Sequence, residues 1–131
     1  MNRKRVLLID DDVELLRQMS AAFATAGYAV RAAPDGQIGM ARFKAEPVEL
    51  VVCDIIMPTR EGVETILALR QAWPELKIIA ISGGYRLGPA IFLDLARHVG
   101  ANEALEKPFR LAALVAAADR LLGAASLGEA S

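Results

Sequence analysis

The chain has 131 residues, enough for one domain with a substantial core and too few for two. Apolar residues make up 54% and aromatics only 5%, so the core must be built mainly from Val, Leu, Ile and Ala, which suits alternating strands and helices better than an aromatic-rich β-sandwich. A formal net charge of −1 excludes a global basic field for nucleic acid, one cysteine excludes an internal disulfide and an all-Cys metal site, and no apolar run approaches the roughly 20 residues of a membrane span.

The only basic run, "NRKR" at residues 2–5, is followed by "VLLI" and then by acids, far short of a signal-peptide core, so a cytoplasmic protein is expected. Residues 5–9 form the first candidate strand. Leu15, Met19, Ala22, Phe23 and Ala26 recur at spacings of three and four and predict an amphipathic helix closed by Gly27. A second strand follows at 28–33 and a second helix at 35–44, stopped before Pro47. "VELVVC", 48–53, is apolar enough for a strand buried on both faces. A third helix runs over 62–73, ended by Pro74, and "KIIAIS", 77–82, is the fourth strand. After the loop "GGYRLGP" come a fourth helix at 89–99, a short and poor fifth strand within 102–106, and a last helix with Leu111, Leu114, Val115, Ala118 and Leu122 on one face. One domain over 4–123 is expected, with a flexible C-terminal tail at 124–131.

Five βα units in succession predict an α/β fold, (βα)5, a doubly wound five-stranded parallel sheet with helices on both faces. Ligands of such sheets sit beyond the carboxyl ends of the strands. The residues there are Asp10, Asp11 and Asp12, then Asp54, then Ser82 with Gly83 and Gly84, then Lys107. Unit like charges about 4 Å apart repel by roughly 4 kcal/mol at an effective dielectric near 20, so three successive acids at the mouth of a buried strand need a reason. A hard divalent cation supplies one, since Mg²⁺ takes oxygen ligands and is commonly held by one or two carboxylates plus phosphate. Asp10 and Asp11 with Asp54 fit that description, and Asp12 is better placed as the N-cap of the first helix. Taken singly, each signal has a plainer explanation: a solvated turn, a glycine-marked loop start at Ser82, a surface lysine before Pro108, a buried apolar Cys53 and a structural His98. Their convergence on one sheet edge favours a site.

The motifs "VLLIDDD", "VVCDIIMP", "AISGG" and "LEKPF", in that order, make the chain resemble the receiver domain of bacterial response regulators over about residues 4–123. The resemblance implies the flavodoxin-like strand order 2-1-3-4-5. It also implies that Asp54 is the phosphoacceptor, attacking a phosphohistidine on a sensor histidine kinase or a histidine phosphotransfer protein. Asp11, Asp54 and the backbone carbonyl of Ile56 would ligate Mg²⁺, with Asp10 acting through a bound water. Ser82 would donate to the phosphoryl group, Lys107 would pair with its oxygens, and the Lys107–Pro108 bond would be cis. The resulting charge would bias a surface of the fourth helix and fifth strand read by a downstream protein, with phosphorylation-dependent dimerisation allowed. The chain would then be a signalling protein rather than an enzyme, without direct nucleic-acid contact.

Three features depart from the family pattern. Ala104, three residues before Lys107, stands where receivers usually carry Tyr or Phe, so a swinging ring at that position is excluded. The segment between Ser82 and Gly100 is a few residues longer than usual, and Tyr85 within it is a candidate substitute. Ile56 and Gly84, each two residues beyond a site residue, offer no polar group to orient water, so a long-lived acyl phosphate is expected. Only eight residues follow Gly123, which points to a stand-alone receiver or relay module unless the chain is part of a larger regulator. An aspartyl phosphohydrolase would need a general acid at position 56 and finds Ile. A flavin binder would place a phosphate among acids. A degenerate receiver, binding proteins independently of phosphorylation, is the alternative, although such chains generally lose the acids or the lysine retained here.

Overall fold

The computed structural model describes residues 4–55, 61–83 and 89–123; Ile56, Gly84, Tyr85 and the tail at 124–131 lie outside them. Five strands and five helices alternate: β1 (Arg5–Ile9), α1 (Val13–Thr25), β2 (Ala29–Ala33), α2 (Gly36–Ala45), β3 (Leu50–Asp54), α3 (Glu61–Ala72), β4 (Lys77–Gly83), α4 (Pro89–Val99), β5 (Glu103–Lys107) and α5 (Leu111–Leu122). All strands are parallel, in the order β2-β1-β3-β4-β5. The expected doubly wound sheet and its strand order are both observed. None of the described helices is long and apolar enough to cross a membrane.

Alternation along the strands builds two separate apolar layers. Leu7 and Ile9 of β1, Val51 and Cys53 of β3, and Ile78 and Ala80 of β4 face one layer with Phe43, Ile66, Leu69, Phe92, Ala96 and Val99 from α2, α3 and α4. Val6 and Leu8, Leu50 and Val52, and Ile79 and Ile81 face the other, with Met19 and Phe23 of α1 and Leu114, Ala117 and Ala118 of α5. The period of two sends successive side chains to opposite faces, which is why β3 reads as one continuous apolar run and is buried throughout. Each fully buried large side chain contributes about 1.5–3 kcal/mol.

The helix ends follow the polar residues around them. Asp12 accepts from Leu15 N at 3.1 Å and Asp35 from Ile38 N at 2.8 Å, so each caps its helix with its own carboxylate. Gly27, at φ 97°, turns the chain from α1 into β2. At the amino ends of the strands, Arg70 ties α3 to the α4–β5 turn by donating to the carbonyls of Gly100 (3.1 Å) and Pro74 (2.7 Å) and to Asn102 Oδ1 (2.9 Å). Trp73 packs edge-on against Phe43, ring centroids 4.6 Å apart, beside an apolar groove of about 470 Å³ that Val48, Leu76 and Leu122 also line.

Candidate functional site

The carboxyl ends of β1, β3, β4 and β5 bring Asp10, Asp54, Ser82 and Lys107 together. The register places them: Ile9 pairs with Cys53, Asp54 with Ile81, and Gly83 with Lys107. Asp10 and Ser82 have no solvent exposure and Asp54 only 2%. Asp10, Asp11 and Asp54 each offer a carboxylate oxygen within 4.8 Å of the other two, with Asp11 alone exposed. Asp12 faces away as a helix cap, as expected. Its backbone N–H, which the sequence analysis does not single out, donates to Asp10 Oδ1 at 2.9 Å.

Lys107 bridges the two buried acids. Its Nζ donates to Asp54 Oδ2 at 2.9 Å and lies 3.0 Å from Asp10 Oδ2. The second contact has the distance of an ion pair without the direction of a hydrogen bond, leaving Asp10 Oδ2 with no hydrogen-bond partner. Burial raises the Asp10 carboxyl to about 6, and the charge of Asp54 adds to this, against the Asp12 N–H and Lys107, which pull it down. For Lys107, burial pulls downward, but Asp54 and then Asp10 outweigh it and the ammonium is held above its usual range. The Lys107–Pro108 bond is cis, as the resemblance implies.

Ser82 Oγ is buried and finds no partner among the described residues. An orphaned hydroxyl costs about 1–3 kcal/mol, so its retention at the carboxyl end of β4, on the strand next to the one that ends in Asp54, marks a place for another polar group. The donor set, all oxygen and net acidic, fits a hard divalent cation better than a soft one. Asp10, Asp11 and Asp54 would hold such a cation, which would offset the repulsion among the acids.

The neighbouring residues divide clearly. Cys53 is fully buried, its thiol pushed up by burial and by the charges of Asp54 and Asp10, and its weak bonds go to backbone carbonyls, as suits a small buried apolar side chain. His98 is exposed in the last turn of α4, away from these residues. Ala104 is half-buried and packs against the apolar layer that contains Phe92, itself 1% exposed. Ile56, Gly84 and Tyr85, each given a role above, lie outside the described residues.

The family model for the response regulator receiver domain matches residues 6–119. The response regulator receiver protein CpdR of Brucella abortus is 34% identical over 122 residues, covering 93% of this chain and 99% of that protein. The transcriptional regulatory protein CpxR of Escherichia coli is 32% identical over 112 residues, covering 86% of this chain but 46% of its own length. The chain thus spans nearly all of one curated relative and less than half of another. Among solved structures, a CheY-like receiver domain protein from Methanospirillum hungatei superposes with a TM-score of 0.81 at 26% identity, covering 92% of this chain and 94% of that one. The chemotaxis protein CheY4 of Vibrio cholerae gives a TM-score of 0.82 at 24% identity, covering 92% and 99%, and shares the fold.

Proposed function

Because the chain belongs to the response regulator receiver domains of two-component systems, we propose that Asp54 accepts a phosphoryl group from a phosphohistidine on a sensor histidine kinase or histidine phosphotransfer protein, with Mg²⁺ as cofactor. The observation that carries this reading is the pairing of Asp54, almost fully buried, with Lys107 at 2.9 Å, at the same sheet edge as a Ser82 hydroxyl that has no partner among the described residues. Receiver domains are signalling proteins rather than enzymes in the usual sense.

In the proposed reaction an Asp54 carboxylate oxygen attacks phosphorus in line with the bond to imidazole nitrogen. The O–P bond forms as the N–P bond breaks, and the leaving imidazole keeps the electron pair and takes up a proton. Lys107 moves its charge from Asp54 to the transferred oxygens, and Ser82 donates its free hydroxyl to one of them. Asp11 and Asp54, with the Ile56 carbonyl, would hold Mg²⁺ directly and Asp10 through water; the cation supplies charge neutralisation on the phosphoryl oxygens. We place the receiver domain at 4–123, followed by a tail at 124–131. Its output is switching of a protein-binding surface, for which α4 offers Ile91 and Leu93, 60% and 47% exposed.

Phosphate-affinity gel mobility after acetyl phosphate treatment tests this. A shifted band that needs both Mg²⁺ and Asp54, and is absent in Asp54→Asn, is expected. No shifted band in the parent with Mg²⁺ present overturns it in favour of phosphorylation-independent binding, and a shifted band that survives Asp54→Asn overturns Asp54 as the acceptor.

A further inference from the structure

The peptide that follows Asp54 is held at both polar ends. Its N–H, on Ile55, donates to the Ile81 carbonyl of β4 at 2.9 Å, and the Ile55 side chain is 2% exposed within the apolar layer under α3. Its carbonyl, on Asp54, meets the first turn of α3, where the residue is Gly62. A Cβ on Gly62 would stand 2.1 Å from the Asp54 carbonyl oxygen, 2.6 Å from Ile55 Cα and 2.9 Å from the Ile55 carbonyl carbon. All three are backbone atoms, not the tip of a side chain that can rotate aside. The buried Cys53 thiol closes the same corner, its Sγ 3.5 Å from the Asp54 carbonyl oxygen and 3.9 Å from that of Gly62.

Glycine within a helix gives up stability relative to alanine. Gly62 does not lie in the left-handed region, as Gly27 and Gly100 do, so backbone conformation does not require it. What requires it is the approach of α3 to the peptide of Asp54. Seating a methyl group there means moving the end of β3 or the start of α3 by about 1 Å, a misplacement of the size that costs on the order of a hundredfold in rate where reacting groups must align.

We infer that Gly62 is a positioning residue for Asp54: the contact of α3 on the Asp54–Ile55 peptide sets where the carboxylate stands relative to Asp10, Asp11 and Lys107. This rests on the phosphoacceptor reading above and adds to it a residue that touches no reacting atom. Isolated mispacking of α3 would lower stability alone, whereas a misplaced Asp54 weakens cation binding by the carboxylates.

The test titrates MgCl₂ into the full chain by calorimetry for the parent, Gly62→Ala and Gly100→Ala, with thermal unfolding and acetyl phosphate labelling alongside. Gly100 sits at φ 94° at the opposite end of the sheet, and the nearest atoms to a Cβ there belong to the Arg70 side chain, so its variant lowers stability away from the site. Expected are a folded Gly62→Ala with Mg²⁺ affinity reduced about tenfold or more and slower labelling, and a Gly100→Ala with lower Tm and parental affinity. Parental Mg²⁺ affinity in Gly62→Ala overturns the inference. So does loss of affinity in proportion to Tm in both variants, or a Gly62→Ala that shows no cooperative unfolding. A parent that neither binds Mg²⁺ nor takes up a phosphoryl group overturns the phosphoacceptor reading itself.

Discussion

At the amino ends of the strands, Arg5 meets Glu49 at 2.6 Å with both side chains more than 40% exposed, and Arg70 spreads its guanidinium over three carbonyls and the Asn102 side chain. At the carboxyl ends, two buried acids share one ammonium, and a buried hydroxyl has no partner among the described residues. The first arrangement leaves charge in water and satisfies donors; the second withholds both. Buried, partly satisfied polar clusters cost stability, and they persist where a ligand completes them. The same sheet therefore has one end whose polar groups satisfy one another and one end whose buried polar groups do not.

The sharpest way to break that contrast is to remove the shared cation. Lys107→Ala leaves Asp10 and Asp54 facing each other and is expected to destabilise the metal-free protein by about 3 kcal/mol, with Mg²⁺ restoring part of the loss by binding the folded form. Urea unfolding with and without Mg²⁺ measures this, and a midpoint equal to the parent's would remove the distinction between the ends.

Acid titration should separate them by sign. Asp10, raised to about 6 in the folded chain, keeps a proton there that the unfolded chain has released. Its contribution to stability is full below the unfolded value near 4 and is lost as pH rises to about 6, on the order of 2 kcal/mol without metal. At the other end, burial pushes Glu49 up but the hydrogen bonds and charge of Arg5 outweigh it, so its net lowering stabilises above the unfolded value and is lost as pH falls. Solvent screening keeps that opposing effect small. Over pH 4–6 the parent should lose stability relative to Asp10→Asn in chemical denaturation; parallel curves would remove Asp10 from the account.

Arg70→Ala should cost about 1–2 kcal/mol through its lost charged hydrogen bonds while Mg²⁺ affinity stays parental. Calorimetry showing weakened Mg²⁺ binding would mean the two ends are coupled. Ser82→Ala should have the smallest effect on stability, from none to a gain of about 1 kcal/mol, because it deletes a buried hydroxyl that is unpaired. The same change should slow labelling by acetyl phosphate, and a measured loss of stability would show that the hydroxyl has a partner in the folded chain.

The sheet was legible because its period is written into the apolar runs and the acids fall where the runs stop. Boundaries shifted where side chains have other work. β2 begins at Ala29 rather than 28, since the Tyr28 ring packs on Phe23 and its hydroxyl donates to Asp119 of α5 at 2.7 Å. β3 begins at Leu50 rather than 48, where contacts thin to bonds of 3.3 Å from Glu49 N to the Arg5 carbonyl and 3.4 Å from Lys77 N to the Glu49 carbonyl. β5 extends to Lys107, which stays in the ladder opposite Gly83. The site residues stood out by type and by place in the chain. The Gly62 contact did not, because a glycine at the start of a helix looks the same whether or not a carbonyl lies against it. Nor did spacing reveal that Lys107 would serve both acids.

Trp73, the only tryptophan, is seated on Phe43 at the amino edge of the sheet, across the molecule from Asp54. Its intrinsic fluorescence is therefore a natural reporter of unfolding and a quiet one for phosphorylation, so a clean optical stability assay needs no label, while following the signal calls for a fluorophore introduced near α4.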